Sequence, residues 1–238
     1  MKASLAEGCR IQGRTDLIAQ WDRTKNAGID MRGVSASDRS VKIWWSDRFG
    51  HTWQQTAYDR LQKNRGCPVC ANDVVLAGYN DLRTQYPVIA AEWHPEKNGN
   101  FTPEQVVSGS SRSAWWQCAL GHEWRAKIVD RTRSTNGCPY CANKKVLAGF
   151  NDLASLEPEL AAQWHPELNG SLTPDQVTAG SARKVWWQCP EGHTWRTAVC
   201  NRTNQYKRTG CPVCAGTVSR KRHCPESALP FAGELRGL

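Results

Sequence analysis

Eleven cysteines and six histidines give this chain of 238 residues its soft donor atoms, and their spacing points to metal chelation. Cys118-x3-His122 is followed, fifteen residues on, by Cys138-x2-Cys141, and Cys189-x3-His193 is followed, seventeen residues on, by Cys211-x2-Cys214. A tight pair sets two donors on one turn and a hairpin-sized insert lets two such pairs converge, which is what a tetrahedral Zn2+ site requires. A disulfide framework needs no histidine at a fixed place and sits poorly with an odd cysteine count, and redox Cys-x2-Cys chemistry leaves His122 and His193 without a role. A third set, Asp47, His51, Cys67 and Cys70, keeps the spacing with a carboxylate in place of the first thiolate. Carboxylate oxygen is an accepted zinc ligand, so three Zn2+ sites are expected; weaker affinity or no metal is the alternative at the Asp47 site. Cys9, Cys200 and Cys224 fall outside the scheme and read as small apolar residues or free thiols.

Three thiolates and an imidazole fill a tetrahedron, the structural rather than the catalytic arrangement. The residue after His122 is Glu123, but Thr52 and Thr194 follow the other two histidines, so an acid-base carboxylate is not part of the repeated design. No Gly-rich phosphate loop and no Gly-x-Ser-x-Gly elbow occurs, and no catalytic residue is assigned. The expectation is a protein that is not an enzyme.

The elements that must position these donors are repeated with them. All twelve tryptophans fall at matching places: Trp21, Trp93 and Trp164; the pairs Trp44-Trp45, Trp115-Trp116 and Trp186-Trp187; and Trp53, Trp124 and Trp195. A unit of about 70 residues buries too small a core to stand without a staple, which the metal would supply. The expected division is three modules, 1–75 (a degenerate copy), 76–146 and 147–216, followed by a basic, poorly ordered tail over 217–238. The later copies open with Asn80-Asp81-Leu82 and Asn151-Asp152-Leu153, and Pro87 and Pro158 then start short helices that end before Pro95 and Pro166. Thr102-Pro-Glu-Gln105 and Thr173-Pro-Asp-Gln176 read as capping boxes opening one more turn. A strand into Trp-Trp-Gln-Cys, a knuckle and a returning strand from Trp124 or Trp195 complete a small α+β module. The first copy is expected to be looser in front, because its helix-starting proline is missing and Asp22 stands where His94 and His165 stand.

These residues resemble a family, the probable zinc-ribbon domain of bacteria and phages, with its treble-clef-like tandem repeats. The likeness rests on Pro-x-Leu/Ile-Ala-x-x-Trp-His/Asp-Pro, an Asn-Gly and a Thr-Pro, then Trp-Trp-x-Cys-x-x-Gly-His-x-Trp, an arginine and Gly-Cys-Pro-x-Cys. It covers 80–142 and 151–215 throughout and the first copy mainly over 44–71. The resemblance implies a zinc-stabilised fold and a nucleic-acid role, since relatives occur alone or beside restriction-endonuclease-like domains.

Charge placement points the same way. The chain carries a formal +9. Residues 52–66 hold Arg60, Lys63 and Arg65 against Asp59; residues 123–137 hold Arg125, Lys127, Arg131 and Arg133 against Glu123 and Asp130; residues 194–210 hold Arg196, Arg202, Lys207 and Arg208 with no acid. The stretch 147–179 has five acids and no base. Basic hairpins alternating with acidic spacers suit phosphate contacts, to which Arg220, Lys221 and Arg222 in the tail would add. Arg60, Arg131 and Arg202 recur in every copy and read either as backbone contacts or as structural bonds to knuckle carbonyls. Trp116, Trp124 and their copies read as core, and His94 and His165 as helix-end residues rather than ligands. The expected partner is nucleic acid, foremost duplex DNA, in the cytoplasm, since the opening Met1 to Glu7 has no apolar signal segment. A protein-interaction adaptor, or the recognition component of a nuclease acting in trans, is the alternative.

Overall fold

A computed structural model describes residues 3–134 and 137–217, which fall into two compact units, Met1–Asn136 and Gly137–Leu238. The expected basic tail, including Arg220, Lys221, Arg222 and Cys224, lies outside the described residues, apart from Thr217.

Within the first unit the same plan is built twice. The first copy runs α1 (Leu5–Ile11), α2 (Thr15–Ala19), the antiparallel hairpin β1 (Lys42–Ser46) and β2 (Thr52–Thr56), and α3 (Ala57–Leu61). The second runs α4 (Leu82–Gln85), α5 (Pro87–Ala90), a 3-10 turn at Pro103–Gln105, β3 (Ser113–Gln117), β4 (Glu123–Lys127) and α6 (Ile128–Arg133). In the second unit α7 (Leu153–Leu156), α8 (Pro158–Ala161), a turn at Pro174–Gln176, β5 (Lys184–Gln188), β6 (Thr194–Ala198) and α9 (Val199–Thr203) repeat it. Three tandem small α+β modules with two-stranded sheets result.

Local chemistry explains the boundaries. Asp81 and Asp152 are N-caps, their carboxylates accepting from the Thr84 and Ser155 amides, and Pro87 and Pro158 start the next turns at fixed φ. The helices expected to start at Pro87 and Pro158 form as α5 and α8; a further single turn, α4 or α7, precedes each and ends on a residue with φ near −138°, Tyr86 or Glu157. At ψ 64° and 65° these residues lie outside the α region, which the following proline disfavours for them, so the two turns do not merge. The helix that follows each hairpin had no sequence-level expectation.

Strand alternation then decides the core. Trp45 pairs across the hairpin with Trp53, Trp116 with Trp124 and Trp187 with Trp195, and the first of each pair is completely buried. Each indole satisfies its N–H on a backbone carbonyl at 3.1 Å, from Gln55, Ala126 and Thr197. Trp21, Trp93 and Trp164 meet these rings edge-on at 5.9, 5.2 and 5.6 Å. At about 25 cal/mol per Å2 and roughly 200 Å2 per ring, each buried tryptophan contributes up to about 5 kcal/mol of gross burial. Two strands alone are marginal. Here a side-chain amide extends the hairpin: Asn98 accepts from the Trp115 amide at 2.8 Å and donates to its carbonyl at 2.9 Å, as Asn26 does for Trp44 and Asn169 for Trp186.

The front of the first copy is packed rather than loose. Ser4 caps α1, and α1 and α2 bring Leu5, Cys9 and Leu17, all fully buried, onto Ile43 and Trp45, which compensates for the missing proline.

Candidate metal centres

The first knuckle of each module is a tight turn between the two hairpin strands. The amide of Cys118 donates to the His122 carbonyl at 3.1 Å and Gly121 donates back to Cys118 at 2.9 Å; Cys189, Gly192 and His193 reproduce this, and so do Asp47, Gly50 and His51. The glycine before each histidine sits at φ between 78° and 85°, a left-handed position that side chains resist. That turn points both donors the same way. The second knuckle follows the post-hairpin helix, with Ala71 donating to the Cys67 carbonyl and Ala215 to that of Cys211, each at 3.0 Å.

Three donor groups gather as the spacing predicts: Asp47, His51, Cys67 and Cys70; Cys118, His122, Cys138 and Cys141; Cys189, His193, Cys211 and Cys214, with the donor atoms of each group within 4.8 Å of one another. A tetrahedral Zn2+ with Zn–S near 2.3 Å and Zn–N near 2.05 Å separates its donors by about 3.8 Å for S and S and about 3.5 Å for N and S. Cys189 Sγ and Cys214 Sγ stand 3.9 Å apart, and the His193 Nδ1 lies 3.5 and 3.4 Å from them. His122 Nδ1 lies 3.5 Å from Cys118 Sγ. In the first site His51 Nδ1 is 3.7 Å from Cys67 Sγ, 3.5 Å from Cys70 Sγ and 2.9 Å from Asp47 Oδ2. The donor sets therefore fit Zn2+ in size and type.

The donor groups shift one another's protonation. Burial together with the neighbouring Asp47 and Cys67 pushes the Cys70 thiol up to about 12, and bonding to Cys211, with burial, pushes Cys214 up to about 11. For Asp47 burial acts upward, but the bonds it accepts from His51 and Cys70 prevail and hold it at about 2. Its Oδ1 also accepts from the Phe49 and His51 amides, each at 3.0 Å, leaving Oδ2 toward the ligand cluster. A carboxylate oriented by two amides and ionised at neutral pH is a ready ligand.

A family model described as "Probable Treble clef zinc finger domain" matches residues 17–73, 89–144 and 160–217. The chain belongs to this treble clef zinc-finger family. Over 128 residues it is also 23% identical to a protein of Escherichia phage T5 described as "Putative endonuclease", a match covering 54% of this chain and 41% of that protein. The chain thus spans about two-fifths of the relative it matches.

The treble clef modules divide their basic residues into two populations. Arg60, Arg131 and Arg202 are only 2, 6 and 4% exposed. Each sits on the post-hairpin helix with its guanidinium over the two core tryptophans, 4.9 and 5.3 Å from the Trp45 and Trp53 rings, 5.2 and 5.3 Å from Trp116 and Trp124, and 4.7 and 5.0 Å from Trp187 and Trp195. Their bonds run back about 40 residues, to Gln20, Glu92 and Gln163, and Arg60 also donates to the Arg65 carbonyl that leads into the second knuckle. Lys63, Arg125, Lys127, Arg133, Arg196, Lys207 and Arg208 are exposed. His94 is buried outside any donor group, its Nε2 2.6 Å from Glu123 and its Nδ1 accepting the Glu96 and Lys97 amides.

Sequence reasoning missed the seam between modules. Asn80, read as the start of the second copy, is bound into the first: its amide donates to the Val69 and Val74 carbonyls and to Asn72, and its oxygen accepts from Leu76. Asn151 does the same with Tyr140, Lys145, Asn143 and Leu147. Tyr79 meets the His51 ring edge-on at 4.3 Å. The signal was the recurrence of Gly78-Tyr79-Asn80-Asp81-Leu82 as Gly149-Phe150-Asn151-Asp152-Leu153.

Proposed function

We propose that this treble clef array binds nucleic acid, foremost duplex DNA, through exposed cations mounted on its zinc-braced hairpins, and that it does so without catalysing a reaction. The observation that carries the reading is the split just described. In every copy one arginine is spent inside on the tryptophan core, while further cations stay outside on the returning strand, at the end of the post-hairpin helix or on the loop leading into the Gly-Cys-Pro knuckle: Lys63 and Arg65, then Arg125, Lys127 and Arg133, then Arg196 and Lys207, with Arg208 exposed but paired to Glu157. Exposed, flexible cations on a rigid support are what phosphate contacts use. The buried trio is assigned to the fold instead. No helix among the described residues is long and apolar enough to cross a membrane. The name of the phage T5 relative favours one second reading, that the array is the recognition component of a nuclease acting in trans.

The test is binding of a labelled random duplex over a salt series. The affinity should fall linearly on a log-log plot, and alanine at Lys63, Arg125 or Lys207 should lower the slope by about 0.9 each. Salt-insensitive binding, or none, together with co-purification of one protein, would replace this reading with the adaptor.

A further inference from the structure

The loops that enter the second knuckle are alike in the cations they carry but not in length. In the first copy the loop after α3 is Gln62–Gly66 and holds Lys63 and Arg65; in the third the loop after α9 spans 204–210, and the sequence between His193 and Cys211 is two residues longer than that between His122 and Cys138. The added length brings Tyr206, which is 98% exposed. Every tryptophan among the described residues is buried or half-buried, so Tyr206 is an aromatic ring placed wholly in water.

The loop that presents it is braced. Asn204 Oδ1 accepts from the amides of Tyr206 and Lys207 at 2.9 and 3.1 Å, the Thr209 amide and hydroxyl both donate to the Asn201 carbonyl, and Arg208 holds Glu157 at 2.9 Å. Residues 194–210 contain no acid. With Arg208 committed to Glu157, Lys207 is the cation next to the ring.

We propose that Tyr206 is a stacking platform for an unpaired nucleobase, with Lys207 on the adjoining phosphate, so that the third module recognises single-stranded segments or strand ends where the first two contact only backbone. This rests on the nucleic-acid reading above. Charge selects the partner class, and the exposed ring selects within it, because a base in a duplex has no free face to stack on.

The test compares wild type with Tyr206→Ala, Tyr206→Phe and Lys207→Ala, all zinc-loaded, on a blunt duplex and on the same duplex with a single-stranded overhang. Tyr206→Ala should lose about 5- to 150-fold on the overhang substrate, the equivalent of roughly 1–3 kcal/mol, and stay within about twofold on the blunt one; Tyr206→Phe should bind like wild type. Equal binding by Tyr206→Ala and wild type on the overhang, or equal losses on both substrates, overturns the proposal while duplex binding by wild type leaves the function intact. If wild type binds neither substrate, both readings fall.

Discussion

Replacing Arg202 by alanine separates a structural arginine from a phosphate contact. The side chain is 4% exposed and lies 4.7 and 5.0 Å from the Trp187 and Trp195 rings, with one bond of 2.8 Å to Gln163 Oε1. Truncation removes two cation–ring contacts at about 1 kcal/mol each and a charged hydrogen bond at about 1.5–3 kcal/mol. It also relieves a cost: Arg202 Nε and Nη1 are buried without partners, and burial pushes the guanidinium below its usual value. With about 1–2 kcal/mol returned by that relief, the expected net loss is about 1.5–4 kcal/mol, confined to the third module. The assay is hydrogen exchange of the β5 and β6 amides in the zinc-loaded protein, followed by the salt series under conditions where the variant stays folded. Exchange should quicken by roughly 10- to 800-fold where it reports module opening, while the salt slope stays at the wild-type value. Unchanged exchange with a slope lowered by about one would refute the reasoning and return Arg202 to the nucleic-acid surface.

Native mass spectrometry should count three Zn2+ per chain. A chelator should empty the Asp47 site first, because that site has two thiolates and opens on a cavity of about 670 Å3 lined by Asp47, Cys67 and Cys70; Asp47→Cys should remove the difference. Asn151→Ala should cost about 2 kcal/mol, since it strips four hydrogen bonds from a buried seam, and it should speed exchange of the Leu147 amide; a silent variant would show that the seam is not held there. Zinc uptake should release protons from Cys70 and Cys214, whose thiols are pushed up to about 12 and 11, so apparent affinity should weaken as pH falls; a pH-independent affinity between 7 and 5 would count against thiolate ligation. Asp152 is drawn below its ordinary value: burial acts upward, but bonds from Ser155 and Gly149 outweigh it. Its contribution should be complete above the unfolded carboxylate value and be lost as pH falls through the lower folded one, a loss that Asp152→Asn should abolish in melts of the zinc-loaded protein.

The donor groups could be read from spacing because ligation is local: four residues in two tight turns carry the whole requirement, and Asp47 declared itself by standing in a thiolate's place. The tryptophan core followed from alternation along the strands. What could not be read were partners fixed only by folding. Gln163 meets Arg202 across 39 residues and Asn98 meets Trp115 across 17, and no local pattern announces an amide acting as a strand. The double role of the Asn80-Asp81 step was hidden for the same reason: it serves two modules at once, the asparagine closing one knuckle and the aspartate capping the next helix. The arginines show why repetition needs a physical reading. A residue present in every copy answers a need every copy has, and here the shared need is a cation between two core rings. A need that differs from copy to copy must appear where the copies differ, which places the search for recognition at Arg125 against Gln54, at Lys97 against Leu168, and in the lengthened loop around Tyr206, rather than among the residues that recur.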